Sequence, residues 1–367
     1  MTKSLFRKEL AGFKTYVAGK PIEQVRREYG LERIEKLASN ENQYGPSPKA
    51  IEAIRAEAEN INFYPEASGY DLVNDIADYL EVKPENIVIG NGGEGLIWVI
   101  AMTFLNAGDE IIAADPSFDI YKISGDLMGA KTVKVPFKDK KFDFDTMVES
   151  INENTKLIYI CSPNNPTGNI ATRDELDNFI KRIPDDVVLI MDEAYYEFAA
   201  DEPSYPADNI NLINTRPNTI ILRSFSKIYG IAGVRIGYLV TSASLAVELN
   251  KVRQTLGVNR LAQVGARAAL KDKEYKDFAV KENKKARDFL IEYFDSRGFD
   301  HFDSYSNFVW ADIKTDSEKV FEELQKKGIV IRPGYLWGWK TWIRVNTGTM
   351  EQMELFKEKL DEVLASV

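Results

Sequence analysis

Thr219-Ile-Ile-Leu-Arg-Ser-Phe-Ser-Lys227 is a short apolar run that ends on an amine, and Arg235 follows it inside Gly233-Val-Arg-Ile-Gly237. A continuous aliphatic run stopped by hydroxyl residues reads as a strand covered on both faces, because a half-exposed strand would alternate. The same form recurs upstream and just downstream. Candidate strands lie at 86–89, 110–114, 132–137, 157–161, 187–191, 220–223 and 236–240, with amphipathic stretches such as 95–105 and 174–183 between them. Strands of this kind alternating with helices predict an α/β fold, with a large domain built on a mainly parallel seven-stranded sheet covered by helices.

After about residue 245 the rhythm changes. A long charged helical region runs toward 294. It is followed by a strand at 307–313, a helix at 317–327, strands at 329–332 and 342–346, and a terminal helix. In that last helix Met353, Phe356, Leu360 and Val363 recur at helical spacing and should face a core. The expected organisation is an N-terminal arm (1–35) packing with the small domain, a large domain (36–255) and a small α+β domain (256–367).

Composition narrows the function. The chain has 367 residues, 44% hydrophobic and 28% charged, with a formal net charge of −10. An acidic balance argues against nucleic-acid binding, which draws on a basic stripe. The longest apolar run, Leu96-Ile-Trp-Val-Ile-Ala-Met-Thr-Phe-Leu105, is too short to span a bilayer. Lys3, Arg7 and Lys8 have no apolar stretch behind them, so no signal peptide is read. Cys161 is the single cysteine, which fits a reducing cytosol, and its apolar run makes it a packing residue. The single histidine, His301, rules out a multi-histidine metal site within one chain, and no metal is expected.

Gly90-Asn-Gly92-Gly-Glu-Gly95 follows a strand and opens a helix, and Glu110 lies at roughly the distance a ribose contact needs. A nicotinamide dinucleotide is therefore a competing reading. The narrower inference is that a glycine-rich turn at a helix start offers free N–H groups to some phosphate. Three further segments end strands in the same half: Asp115-Pro-Ser-Phe118, Ser162-Pro-Asn-Asn165-Pro-Thr-Gly168 and Met191-Asp192-Glu-Ala-Tyr195. Strand C-terminal ends of an open α/β sheet converge on one crevice. That crevice should collect Phe118, Asn165, Asp192, Tyr195, Ser224, Ser226, Lys227 and Arg235.

This set suits one chemistry. An acid such as Asp192 keeps a pyridine nitrogen protonated, Phe118 stacks on the ring, and Asn165 and Tyr195 bind its phenolic oxygen. Lys227 joins an aldehyde as a Schiff base and then shuttles a proton.

Taken together, Asn164-Asn165-Pro-Thr-Gly168, Asp192-x-x-Tyr195, Ser224-x-Ser226-Lys227 and Arg235 resemble the fold-type I aminotransferases that use pyridoxal 5′-phosphate, over essentially the whole chain. The resemblance implies that Lys227 carries the cofactor, with Asp192 and Tyr195 beside it in catalysis. It implies that Ser224, Ser226, Arg235 and the backbone of Gly93 and Glu94 hold the phosphate. Arg344, in Trp342-Ile-Arg-Val-Asn346, matches the arginine for the substrate carboxylate or its equivalent.

Phe13-Lys-Thr-Tyr16-Val-Ala-Gly-Lys-Pro21, Leu37-Ala-Ser-Asn40-Glu-Asn-Gln-Tyr44 and Tyr64-Pro-Glu66 look closest to the histidinol-phosphate aminotransferases. That likeness implies Tyr16, Asn40, Arg332 and Arg344 at the substrate. It places Tyr64 at the cofactor phosphate of a neighbouring subunit, hence a cytoplasmic homodimer with shared active sites, working on histidinol phosphate and 2-oxoglutarate. Gln43, Glu94-Gly95, Arg260 and the tryptophans at 337, 339 and 342 depart from the subfamily pattern. Arg260 and the tryptophans leave the amino donor open, since they line the pocket or pack in the core. The alternatives are an aromatic aminotransferase and a decarboxylase resembling threonine-phosphate decarboxylase.

Overall fold

The computed structural model describes residues 5–11, 13 and 19–367. After a short β1 (Glu35–Lys36), the seven apolar runs become β2 (Ile87–Gly90), β3 (Glu110–Asp115), β4 (Lys131–Pro136), β5 (Thr155–Cys161), β6 (Val188–Asp192), β7 (Thr219–Ser224) and β8 (Gly237–Thr241). Among the described residues they form one sheet, ordered β2-β8-β7-β6-β5-β3-β4. The expected α/β class and its mainly parallel sheet are therefore observed.

Burial on both faces explains the continuous apolar runs. In β6, Leu189 and Met191 enter the core on one face, while Val188 and Ile190 enter the core on the other. Helices Tyr70–Leu80, Arg173–Ile180 and Arg260–Leu270 cover the first face, and Gly92–Phe104, Ile120–Met128 and Ala243–Val252 the second. Each aliphatic side chain so buried contributes about 1.5–3 kcal/mol, so neither face tolerates polar alternation.

Strand direction places the site. β3, β5, β6 and β7 run parallel, so their C-terminal ends share one edge. β8 alone in this sheet runs against both its neighbours, and its first residue, Gly237, pairs with Gly90 and Ser224. The reversal brings the start of β8 to that edge. Arg235, two residues before it, therefore joins the lysine after β7 and the glycine turn after β2.

The second unit is an antiparallel sheet of β9 (Asp300–His301), β10 (Phe308–Asp312), β12 (Arg332–Pro333) and β13 (Trp342–Asn346), in the order β12-β13-β10-β9. Met353, Phe356, Leu360 and Val363 of the terminal helix are fully buried against it, as their spacing predicts. The run read as one strand at 329–332 is divided. β11 (Ile329–Val330) pairs in parallel with β1, whereas β12 pairs with β13. One strand serves two sheets, and residues 35–37 are tied to this unit through it; the Leu37 N–H donates to the Val330 carbonyl at 2.7 Å.

Helix Arg260–Leu270 does not pack with the second unit. Its Ala262, Ala266 and Ala269 lie in the large-sheet core. In the long helix Lys273–Ser296, Ala279 belongs to that core, while Ala286, Leu290 and Phe294 belong to the small one. We therefore propose that the two units divide between Ala279 and Ala286, not at 255/256, with the arm up to about residue 35 attached to the small unit through Val25 and Val330.

Candidate active site

A cavity of about 370 Å³ lies where the C-terminal edge of the large sheet faces β12 and β13. Phe118, Asn165, Asp192, Tyr195, Ser224, Ser226 and Lys227 all line it, each following or ending a parallel strand. Gly93 and Glu94 line it from the glycine turn and Arg235 from the segment before β8, and Asn40, Arg332 and Arg344 complete the wall.

Asp192 is buried at the end of β6. Its Oδ2 accepts a bond from the Tyr121 hydroxyl at 2.6 Å, and its Oδ1 accepts the Ala194 N–H at 3.0 Å. Burial pushes its pKa up, opposed by these two bonds and by the Lys227 charge. A protonated ring nitrogen against the carboxylate would add a further opposing charge and favour the ionised form.

Lys227 is half-buried. Its Nζ lies 3.4 Å from the Ser39 carbonyl and 5.4 Å from the centre of the Tyr195 ring. Burial, then the nearby Arg344 and Arg235 charges, pull its pKa down to about 8, against the opposing pull of Glu41 and Asp192. A lysine so placed holds a much larger neutral fraction than a solvated one, and the neutral amine is the nucleophile. The Tyr195 hydroxyl accepts the Asn40 side-chain N–H at 2.8 Å, and burial raises the tyrosine pKa.

The glycine turn is shaped for an anion. Gly92 has φ +74°, and a Cβ there would run into the Arg235 guanidinium. The helix Gly92–Phe104 begins after Asn91, whose side chain makes no capping bond. Its first turn, Gly93 and Glu94, lines the cavity beside Arg235, Ser224 and Ser226, and its N–H groups, with no side-chain acceptor at the cap, are available to an anion. An acid for a ring nitrogen, a low-pKa amine and this cradle fit the donor set that pyridoxal phosphate requires.

Arg332 and Arg344 face each other across β12 and β13 in register. Arg344 donates to the Asn165 Oδ1, and to the Ala38 carbonyl at 2.6 Å.

Other candidate positions fall elsewhere. Glu110 opens β3, at the opposite edge of the sheet, and its carboxylate is held by Lys131 at 3.0 Å and Asn152 at 2.7 Å. The dinucleotide reading loses its ribose contact for that reason. Arg260 pairs with Glu57 and donates to the Tyr64 carbonyl at 3.3 Å, away from the cavity. Tyr64 is 82% exposed and does not line the cavity of its own chain. Tyr16 lies outside the described residues. Trp339 and Trp342 pack on Trp310 and Phe302.

Three features escaped the sequence reading. Tyr121, the partner of Asp192, sits three residues after Phe118 at the start of a helix, spacing that puts both on one side. Cys161 lines the cavity as well as packing in the core. Glu193 and Arg223 form a fully buried ion pair at 2.9 Å, with Asn209 bonded to Glu193 at 2.8 Å. Strand alternation turns this pair away from the cavity while their neighbours Asp192 and Ser224 face it. Removing one partner of such a pair costs about 3–5 kcal/mol, because the other charge is left buried.

The sequence matches the family described as aminotransferase class I and II over residues 32–360. The chain belongs to that family. It is 42% identical over 359 residues to the histidinol-phosphate aminotransferase of Moorella thermoacetica, covering 98% of this chain and 93% of that protein. It is also 42% identical to histidinol-phosphate aminotransferase 2 of Carboxydothermus hydrogenoformans, over 98% and 99% of the two chains. Among solved structures, the histidinol-phosphate aminotransferase of Sinorhizobium meliloti in complex with pyridoxal-5′-phosphate superposes with a TM-score of 0.90 at 28% identity, over 100% of this chain and 99% of that one.

Proposed function

We propose that this chain is a pyridoxal-phosphate aminotransferase that moves the amino group of histidinol phosphate to 2-oxoglutarate. One observation carries the reading: three parallel strand ends and one reversed strand bring Asn165, Asp192, Lys227, Ser224 and Arg235 around one cavity, opposite two arginines. The full-length likeness to histidinol-phosphate aminotransferases supports the choice of donor.

When bound, the cofactor supplies an electron-withdrawing ring that lets the bond from the substrate Cα to its hydrogen break. The protein's part is binding and proton traffic. The first-turn N–H groups of Gly93 and Glu94, with Ser224, Ser226 and Arg235, hold the phosphate. Asp192, fixed by Tyr121, keeps the ring nitrogen protonated. Asn165 and Tyr195 bind the ring oxygen, with Asn40 orienting the tyrosine, and Phe118 packs on the ring face. Lys227 would hold the cofactor through its amine and, once the substrate amine has taken its place, would move the proton at the substrate Cα. Arg332 and Arg344 bind the phosphate of the donor and the carboxylates of the acceptor. Tyr64, exposed and outside the cavity of its own chain, reaches the cofactor phosphate of a second subunit in this reading, which makes the protein a homodimer with shared sites. Among the described residues no helix is long and apolar enough to cross a membrane.

The test is a product assay on purified protein supplied with pyridoxal phosphate. Glutamate formed from 2-oxoglutarate with histidinol phosphate, at a higher kcat/KM than with phenylalanine, tyrosine or tryptophan, is the expected result. Preference for an aromatic amino acid, or release of carbon dioxide without glutamate, would overturn the assignment of donor or reaction.

A further inference from the structure

We propose that Trp337 is a positioning residue that sets the pocket's preference for a doubly charged anionic group, by holding Arg332 and Arg344 side by side. The proposal rests on the reading above that these two arginines receive the substrate phosphate.

Both guanidiniums belong to buried residues, 6% and 5% exposed, on directly opposed positions of adjacent strands. Two like charges this close repel, and burial strengthens the repulsion. Arg344 is anchored by Asn165 and the Ala38 carbonyl, and the Asp119 carboxylate offsets part of both charges; an aromatic face shared by the two guanidiniums adds a hold common to both. The Trp337 ring lies 5.7 Å from the Arg332 Cζ and 5.6 Å from the Arg344 Cζ, within the range where an aromatic face attracts a cation. One indole thus draws both charges toward one place. Phe308, 5.2 Å from the Arg344 Cζ, adds to the hold on one of them.

Trp337 is itself fixed. It meets Trp310 edge-on, with ring centres 5.5 Å apart and planes at 88°. Trp310 is fully buried and is the register partner of Arg344 across β10 and β13. The turn that carries Trp337 starts at Gly334, where a Cβ would collide with the carbonyls of Trp339 and Trp342 and come within 2.9 Å of the Trp310 ring. It ends at Gly338, with φ +84°. Trp339 and Trp342 pack around Trp310, so the aromatic cluster has a core part and one member turned to the arginines. A group carrying two negative charges, such as a phosphate monoester, engages both guanidiniums; a lone carboxylate needs only one.

The test compares holoenzyme carrying Trp337→Leu, Trp337→Phe or Trp339→Phe with the unsubstituted protein. Steady-state constants are measured for histidinol phosphate and for histidinol, which lacks the phosphate, together with the calorimetric affinity for inorganic phosphate. Trp337→Leu should raise KM for the phosphorylated donor and weaken phosphate binding about tenfold or more. Its kcat should stay within about threefold, the absorption of the bound cofactor should be unchanged, and the preference for histidinol phosphate over histidinol should fall with KM. Trp337→Phe, which keeps an aromatic face, should restore most of the loss, and Trp339→Phe should match the unsubstituted protein. Unchanged KM and phosphate affinity in Trp337→Leu would overturn the proposal. An equal loss in Trp339→Phe would do so too, since the effect would then be general packing. If the unsubstituted protein does not turn over histidinol phosphate, the functional reading fails, and the phosphate titration still decides the role of Trp337. Weaker binding in Trp337→Leu supports it, whereas unaltered binding, or none in the unsubstituted protein, refutes it.

Discussion

The two walls of the cavity are built by different rules. The wall from the large sheet carries Asn165, Asp192, Ser224 and Lys227 on consecutive strand ends. Each is placed by the direction of its own strand, within a few residues of an apolar run. The wall from the small unit carries Arg332 and Arg344, which meet only because two short strands pair antiparallel across a turn rich in tryptophan. Parallel strands fix the chemistry; cross-strand pairing and packing fix what is admitted to it. Substitutions in the first wall should therefore lower kcat, and those in the second should raise KM.

Lys227→Ala should show the largest effect. Turnover should fall about a thousandfold or more, and the near-violet absorption of the holoprotein should vanish; an active, absorbing variant would break the division between walls. Asp192→Ala comes next, with kcat down about a hundredfold and substrate KM little changed, as read from steady-state kinetics. In the opposite wall, Arg344→Gln should raise KM about thirtyfold, the loss of one buried charged hydrogen-bond partner being worth about 2 kcal/mol. A fall in kcat without a change in KM would erase the contrast.

Two smaller effects sharpen it. Tyr121→Phe removes the 2.6 Å bond to Asp192 that opposes the upward push of burial on its pKa. Activity should drop about tenfold, and the acid limb of the pH profile should move to higher pH. The Lys227 pKa near 8 makes the neutral amine scarcer as pH falls through that value. Capture of pyridoxal phosphate by cofactor-free protein, followed by absorbance, should therefore accelerate with rising pH around a midpoint near 8. Because Arg344 depresses this pKa after burial does, Arg344→Gln should move the midpoint upward.

The same contrast explains how much could be read from sequence. The seven strands, their order of motifs and the members of the first wall were legible because period, apolarity and strand ends are local signals. The terminal helix was equally plain, since its four apolar positions keep one helical spacing and all four are buried. The packing of helix Arg260–Leu270 against the large sheet was not legible, because its burial rests on alanines. Ala262, Ala266 and Ala269 pack in the large-sheet core without the bulky residues that announce a core face. The split of 329–332 between two sheets was hidden as well, because an unbroken apolar run does not reveal which strand each half will pair with. Tyr121 carries no local signal of its role, and only the fold brings its hydroxyl to Asp192. The tryptophans posed the same difficulty. Pocket or core was undecided in the sequence, and the fold divides them, with Trp337 against the arginines and Trp339 and Trp342 against Trp310.

Borohydride reduction of protein incubated with pyridoxal phosphate, followed by digestion and mass spectrometry, tests the central claim most directly. A stable pyridoxyl adduct on the peptide containing Lys227, with loss of the near-violet band, is the result this account requires. An adduct confined to another lysine, or none in protein that binds the cofactor, would contradict it.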